Sequence, residues 1–302
     1  MRPISIESIP VNRELHPFPK VLILEVVAGC KLACIMCPHK DLTRPKGLMK
    51  MELFKKLVDE VAALGGDTEV WCPIMGEVFL YQEKIFDYFE YMKQIGLNKK
   101  YLNSNLTLFK PSMISKLAKC ELNKLTVGLD AATEETYNKV RVNGDFKRVE
   151  ENVRALLEAK SRGDLPKLEI VLQFIVQDEN VHEEEAFKQK WAGSGATIKI
   201  RHKLGWGLGV AADNLNIPEV ERNIPCPWLM RTLSIHWNGK AAQCDSMWDG
   251  QEYMGDVNDQ TIQEVWMGEL LHRRQRHLKN DFAFYPCSTC KDWQCGLSEV
   301  YK

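Results

Sequence analysis

Three cysteines within eight residues, Cys30, Cys34 and Cys37 at C-x3-C-x2-C spacing, follow directly on the apolar run 21–28. A thiolate-rich loop at the end of a strand can wrap a soft, thiophilic metal centre. Three ligands rather than four leave one coordination position open for chemistry. This loop fixes where a strand must end and which face of the fold must be reactive.

The chain around it reads as alternating short apolar runs and longer amphipathic ones. Strands are expected at 21–28, 69–74, 100–104, 125–130, 167–176 and 197–202, with helices at 51–64, 82–95, 112–119, 146–161 and 181–191. Six strand-helix units in series imply an α/β fold with a parallel sheet, most simply a partial (β/α)6 barrel. Its reactive face lies at the carboxyl ends of the strands, where the cysteine loop falls.

At 302 residues the chain is long enough for two domains. With 40 basic and 41 acidic side chains the formal charge is −1, so no general attraction to nucleic acid or to an anionic membrane is indicated. The first twenty residues lack an apolar signal core and no run of eighteen apolar residues occurs, which reads as a soluble, cytoplasmic protein. Of the 10 cysteines, eight fall into two groups, at 30–37 and 226–295, a distribution that argues for metal sites rather than disulfides.

The spacing of Cys30, Cys34 and Cys37, with Glu25 five residues earlier and Gly47-Leu48-Met49 downstream, resembles the signature of the radical SAM superfamily in its SPASM/twitch branch. The resemblance implies a [4Fe-4S] cluster on those three cysteines and S-adenosylmethionine on the fourth iron. Met75-Gly76-Glu77-Val78 is similar to the family's Gly-Gly-Glu-Pro segment, with Met75 and Val78 as departures, and implies contacts from Gly76 and Glu77 to the amino group of S-adenosylmethionine. Asn103-Ser104-Asn105 resembles Thr-Asn-Gly, which implies that Ser104 and Asn105 contact the ribose or methionine part. Val127-Gly128-Leu129-Asp130-Ala131 resembles Val-Ser-Leu-Asp-Ala, adding Asp130, and Arg141 lies in a segment like Arg-x-x-Gly-x-Phe. Guanidinium suits bidentate carboxylate recognition, so Arg141 is paired with the S-adenosylmethionine carboxylate; the alternative is an exposed arginine at a helix end.

Glu25, an acid on the face shared by Val21, Ile23 and Val27, either points into a substrate cavity as a proton acceptor or forms a salt bridge, for example to Arg201 or Lys203. After Lys203 the pattern breaks at Leu204-Gly205-Trp206-Gly207-Leu208-Gly209, which suits a linker or a loop near the active site. The expected organisation is a lead-in at 1–20, the barrel at 21–205 and a cysteine-rich domain at 206–302.

In that last part Asn238-Gly239 signals a hairpin between Cys226 and Cys244, followed by Cys287, Cys290 and Cys295. It resembles the SPASM/twitch auxiliary-cluster domain. Five cysteines imply one auxiliary [4Fe-4S] cluster, on Cys226, Cys244, Cys287 and Cys290, with Cys295 able to displace one of them; four cysteines so arranged would also hold structural zinc. Arg273, Arg274 and Arg276 read as a solvated helix face.

The resemblance implies a 5'-deoxyadenosyl radical that removes hydrogen from a small polar substrate, a sugar, aminocyclitol or nucleoside, and a flavodoxin-type electron donor. Dehydrogenation of a hydroxyl-bearing carbon is the leading reading. Epimerisation with Cys295 or Cys72 as hydrogen donor, and modification of a peptide, are the alternatives. A non-catalytic zinc-binding module is the remote one.

Overall fold

In a computed structural model the described residues are 13–64, 67–73, 75–210, 222–294 and 298–301. Among these residues ten strands form one continuous sheet in the order β10-β6-β5-β4-β3-β2-β1-β7-β8-β9. Strands β1 (Val21–Leu24), β2 (Glu69–Cys72), β3 (Lys100–Ser104), β4 (Lys124–Gly128), β5 (Glu169–Val176) and β6 (Thr197–His202) are mutually parallel neighbours, as the strand-helix alternation requires. Four-residue β1 is buried throughout, as expected of a parallel strand covered on both faces.

Helices cover the outside of this sheet. In α1 (Met51–Ala63) the buried residues Phe54, Leu57, Val58 and Val61 recur at helical spacing on one face. Helices α2 (Ile85–Gln94), α3 (Ile114–Lys119), α5 (Phe146–Ser161) and α6 (Glu184–Trp191) follow β2 to β5. The α5 helix is capped by Asp145, whose carboxylate accepts from the Arg148 amide at 3.1 Å.

Helix α4 (Glu134–Val140) was not anticipated. It starts at Thr133, whose hydroxyl accepts from the Thr136 amide at 3.3 Å. The Glu183 carboxylate fastens this start to the next unit, accepting from the Ala132 amide at 2.6 Å, the Thr136 hydroxyl at 2.7 Å and the Thr133 hydroxyl.

The cysteine-rich part extends the sheet. After α7 (Pro227–Arg231), strand β7 (Thr232–Ile235) lies parallel to β1, with Val21 opposite Thr232 and Leu24 opposite Ile235. The hairpin expected at Asn238-Gly239 then joins β7 to β8 (Lys240–Ala242), Gly239 taking φ +88, and β9 (Gly255–Asp256) follows antiparallel. At the other edge β10 (Ser298–Tyr301) pairs antiparallel with β6. The main core cluster takes in residues on both sides of position 206, from Leu22 to those of α8 (Ile262–Met267) and Leu270 in α9 (Glu269–Leu278).

Two basic residues of α9 depart from expectation. Arg273 and Arg274 are buried, not solvated: Arg274 lies on the Trp266 ring at 3.4 Å, and Arg273 donates to the Gln243 side chain at 2.8 Å and the Tyr285 carbonyl at 3.1 Å. Their apolar stems and planar heads serve packing, which a charge count along the helix does not reveal.

Candidate active site: one chamber between two cysteine sets

At the carboxyl ends of the parallel strands lies a chamber of about 350 Å³. Cys30, Cys34 and Cys37 line it together with Cys226, Cys244, Cys287 and Cys290. Among the described residues, no three His, Cys, Asp or Glu side chains are drawn together to hold a single metal ion.

The first cysteine loop is anchored to the end of α4. The Ala33 amide donates to Val142 at 3.0 Å and the Ile35 amide to Val140 at 3.1 Å, so the helix the sequence reading missed positions the loop it singled out. The Asn105 side-chain amide reaches to 3.7 Å from Cys30 Sγ, and Arg141 Nη1 to 3.8 Å from Cys34 Sγ. From the other side the Trp206 indole donates to the Met36 carbonyl at 3.0 Å, which places the glycine-rich stretch at the site.

Gly76, Glu77, Ser104 and Asn105 come together as one group. Gly76 adopts φ +89 with so close an approach that a Cβ there would sit 2.1 Å from the Val27 carbonyl oxygen. The Glu77 amide donates to Gly29 at 2.7 Å, while its carboxylate accepts from the Ser104 hydroxyl at 2.7 Å and the Asn105 amide at 2.8 Å. Burial pushes the Glu77 carboxyl up from its ordinary value, against those hydrogen bonds.

Asp130 is fully buried behind Arg141. Its Oδ2 accepts from Arg141 Nε at 2.8 Å and also from Nη2, and its Oδ1 accepts from the Ile175 amide at 2.6 Å. It meets the chamber only through that guanidinium, which does line it. Arg141 is thus buried and paired, not an exposed helix end. Gly128 makes the arrangement possible, since a Cβ there would lie 2.0 Å from Arg141 Nη2.

Glu25 departs from both expectations. It lies outside the chamber lining and pairs with Arg44 rather than with Arg201 or Lys203. Arg44 Nη1 donates to Glu25 at 2.9 Å, Nη2 donates to its other oxygen, and the Trp237 amide adds a third bond at 3.2 Å. The hydrogen bonds of Glu25 thus go to Arg44 and to Trp237 in the β7–β8 hairpin. Arg44 had no sequence signal beyond being a lone arginine in a loop.

In the second set the Gln243 side-chain amide donates to Cys287 Sγ at 3.1 Å, and the Cys226 amide to His277 Nδ1 at 3.3 Å. Cys295 lies outside the described residues. Cys72, the other hydrogen-donor candidate, is packed in the apolar core and does not line the chamber; Cys120 is buried likewise.

These residues fit iron-sulfur clusters. Burial pushes the thiols of Cys30 and Cys287 up to about 11 and those of Cys37 and Cys290 up to about 12, so they hold protons until a metal displaces them. N–H groups aimed at Cys30, Cys34 and Cys287 are donors of the kind that stabilise cluster sulfur.

The family model of the radical SAM superfamily matches residues 24–187, more than half the chain. The chain belongs to the radical SAM superfamily. A second model, of the SPASM iron-sulfur cluster-binding domain, matches residues 226–295. The cofactors of this protein are accordingly a [4Fe-4S] cluster that binds S-adenosylmethionine, S-adenosylmethionine itself, and an auxiliary cluster.

Among curated relatives, the chain is 29% identical over 143 residues to the AdoMet-dependent heme synthase of Methanosarcina barkeri, a match covering 47% of this chain and 40% of that one. The chain therefore matches less than half the length of that relative. Among solved structures, BtrN in complex with AdoMet and 2-DOIA superposes with a TM-score of 0.65 at 14% identity, covering 93% of this chain and 96% of that one. Streptococcus suis SuiB bound to precursor peptide SuiA gives a TM-score of 0.70 at 13% identity, covering 92% and 71%. These two likenesses are ones of fold. Among the described residues no helix is long and apolar enough to cross a membrane.

Proposed function

We propose that this radical SAM enzyme dehydrogenates a small polar substrate held in the chamber between the two cysteine sets. In this reading Cys30, Cys34 and Cys37 hold the cluster that binds S-adenosylmethionine, within a barrel at 21–205. Cys226, Cys244, Cys287 and Cys290 hold the auxiliary cluster within a domain at 206–302. Gly76, Glu77, Ser104 and Asn105 receive the amino and ribose parts of S-adenosylmethionine, and Arg141, positioned by Asp130, its carboxylate.

The observation that carries the reading is the shared chamber, which both cysteine sets and the residues assigned to S-adenosylmethionine line and whose inner wall presents polar Asn103, Thr126 and Gln173. When bound, reduced cluster and S-adenosylmethionine supply a 5'-deoxyadenosyl radical that takes a hydrogen atom from the substrate. To become a ketone the carbinol then loses its hydroxyl proton and one electron. Four cysteines in the second set leave no open coordination position, which suits an electron acceptor better than a substrate ligand. The chain's own part is to hold the substrate, exclude water and accept the proton; Glu25, engaged by Arg44, is a poor candidate for that last task.

A flavodoxin-type reductant as electron donor belongs to the same reading. Peptide modification is the second reading, favoured by the fold-level likeness to SuiB bound to a precursor peptide. Epimerisation is left with Cys295 as donor, since Cys72 is sealed in the core.

The test is anaerobic reconstitution with iron and sulfide counts, then mass analysis with candidate polyols. Two clusters per chain, deoxyadenosine formation and a product lighter by two hydrogens support the proposal. A product of unchanged mass carrying one solvent hydrogen would support epimerisation instead. Stoichiometric zinc without a reducible cluster would sink the whole scheme.

A further inference from the structure

The chamber wall built by β6 carries a lysine whose charge no described side chain answers. Lys199 and Arg201 line the chamber, while Ile198 and Ile200, on either side of Lys199, go to the core on the opposite face. Arg231, at the end of α7, lines the same space.

Neighbouring cations have partners. Lys124 on β4 meets Glu169 at 3.0 Å, and Arg201 donates to the Gln173 side chain at 3.1 Å and the His202 carbonyl at 3.0 Å. Half-buried Lys199 has neither a hydrogen bond nor an ion pair among the described side chains, and the charges among them that act on it, Arg201, Lys124 and Arg231, are all positive.

The chamber's carboxylates are committed elsewhere. Glu77 takes Ser104 and Asn105, Asp245 takes Trp228 at 3.1 Å and Ser234 at 2.7 Å, and Asp292 takes the Gly205 amide at 2.7 Å. Burial, and the three cations after it, hold the Lys199 amine down to about 8. An anion placed among these cations would relieve both costs at once, whereas an ammonium placed there would add to them.

We propose that the substrate carries a carboxylate or phosphate and that Lys199 with Arg201 binds that group on the β6 wall. This rests on the chamber being the substrate site, as above. Within the small polar class it selects sugar acids, sugar phosphates or nucleotides over aminocyclitols.

The experiment is calorimetric titration of the reconstituted, S-adenosylmethionine-loaded protein with glucuronate, glucose 6-phosphate, glucose and glucosamine. At least one anion is expected to bind tenfold or more tighter than glucose, with glucosamine weakest; which anion wins separates carboxylate from phosphate. Lys199→Gln and Arg201→Gln should each lose that preference tenfold or more, and Lys199→Arg should keep it. Glucuronate affinity should fade as pH rises through about 8, where the free amine gives up its proton.

Equal binding of glucose or glucosamine, anion binding that survives Lys199→Gln, or no binding of any of the four at millimolar concentration each overturns the proposal. Iron and sulfide are counted in the same samples. A deficit in the wild type counts against the cluster reading, while lost anion preference in samples that keep their clusters counts for the anion site.

Discussion

Arg44 closes on Glu25 through both terminal guanidinium nitrogens and donates its Nε to the Trp248 carbonyl at 2.7 Å. The pair ties the end of β1 to the loop after the first cysteines and to the segment after β8. Removing one partner strands the other charge in a buried place, at a cost of about 3–5 kcal/mol. Arg44→Leu is expected to lower the thermal midpoint of the reconstituted protein sharply, and Glu25→Leu with Arg44→Leu to recover most of the loss. A single variant as stable as wild type would show that the pair is not held in solution.

Arg141 offers a second test, because Asp130 fixes two of its nitrogens and leaves Nη1 directed at Cys34 and the chamber. Lysine retains the charge but not the fork. Arg141→Lys should weaken S-adenosylmethionine binding by about ten- to a hundredfold, the range for losing one charge-assisted hydrogen bond. Equilibrium binding to the reconstituted protein reads this out, and unchanged affinity would remove Arg141 from the carboxylate site.

Gly76 and Gly96 have nearly the same backbone, φ +89 and φ +81, in opposite surroundings. A Cβ at Gly96 meets nothing within 4 Å, whereas at Gly76 it meets the Val27 carbonyl oxygen. Both alanine variants bear the cost of a left-handed backbone, about 1–2 kcal/mol. Only Gly76→Ala should also displace Glu77 and depress S-adenosylmethionine binding, so the difference between the two variants, measured by titration, isolates the contact.

His236 sets an expectation for acid. Its ring is buried, and burial followed by nearby Arg44 pushes it down to about 3, while Asp249 acts weakly the other way. Unfolded, it takes up a proton near its ordinary value of 6.5, so the unfolded chain binds more protons between those values. The contribution of neutral His236 to stability is complete above about 6.5 and declines as the pH falls toward 3. Urea unfolding of wild type and His236→Gln at pH 7.5 and pH 5.5 should show a smaller loss in the variant; equal losses would count against a buried neutral ring.

Much of the scaffold was readable because parallel strands advertise themselves as apolar runs. Strands β3 and β6 fall where the sequence pattern puts them, and β1 is shorter than its apolar run only because the chain bends after Leu24. Helix α4 was missed because Glu134–Val140 is mostly polar and owes its place to Glu183, which lies far along the chain. The cysteines announce themselves by spacing. Arg44 and Lys199 do not, since whether a lone basic side chain is answered depends on residues that only the fold brings near it.

The parallel ladder between β1 and β7 makes the strand that leads into the first cysteine loop a direct neighbour of the strand lying between Cys226 and Cys244. Both cysteine-bearing parts of the chain thus hang on one sheet, as two lamps are fixed to a single beam. Loops can be rebuilt around a different molecule while that beam stays the same.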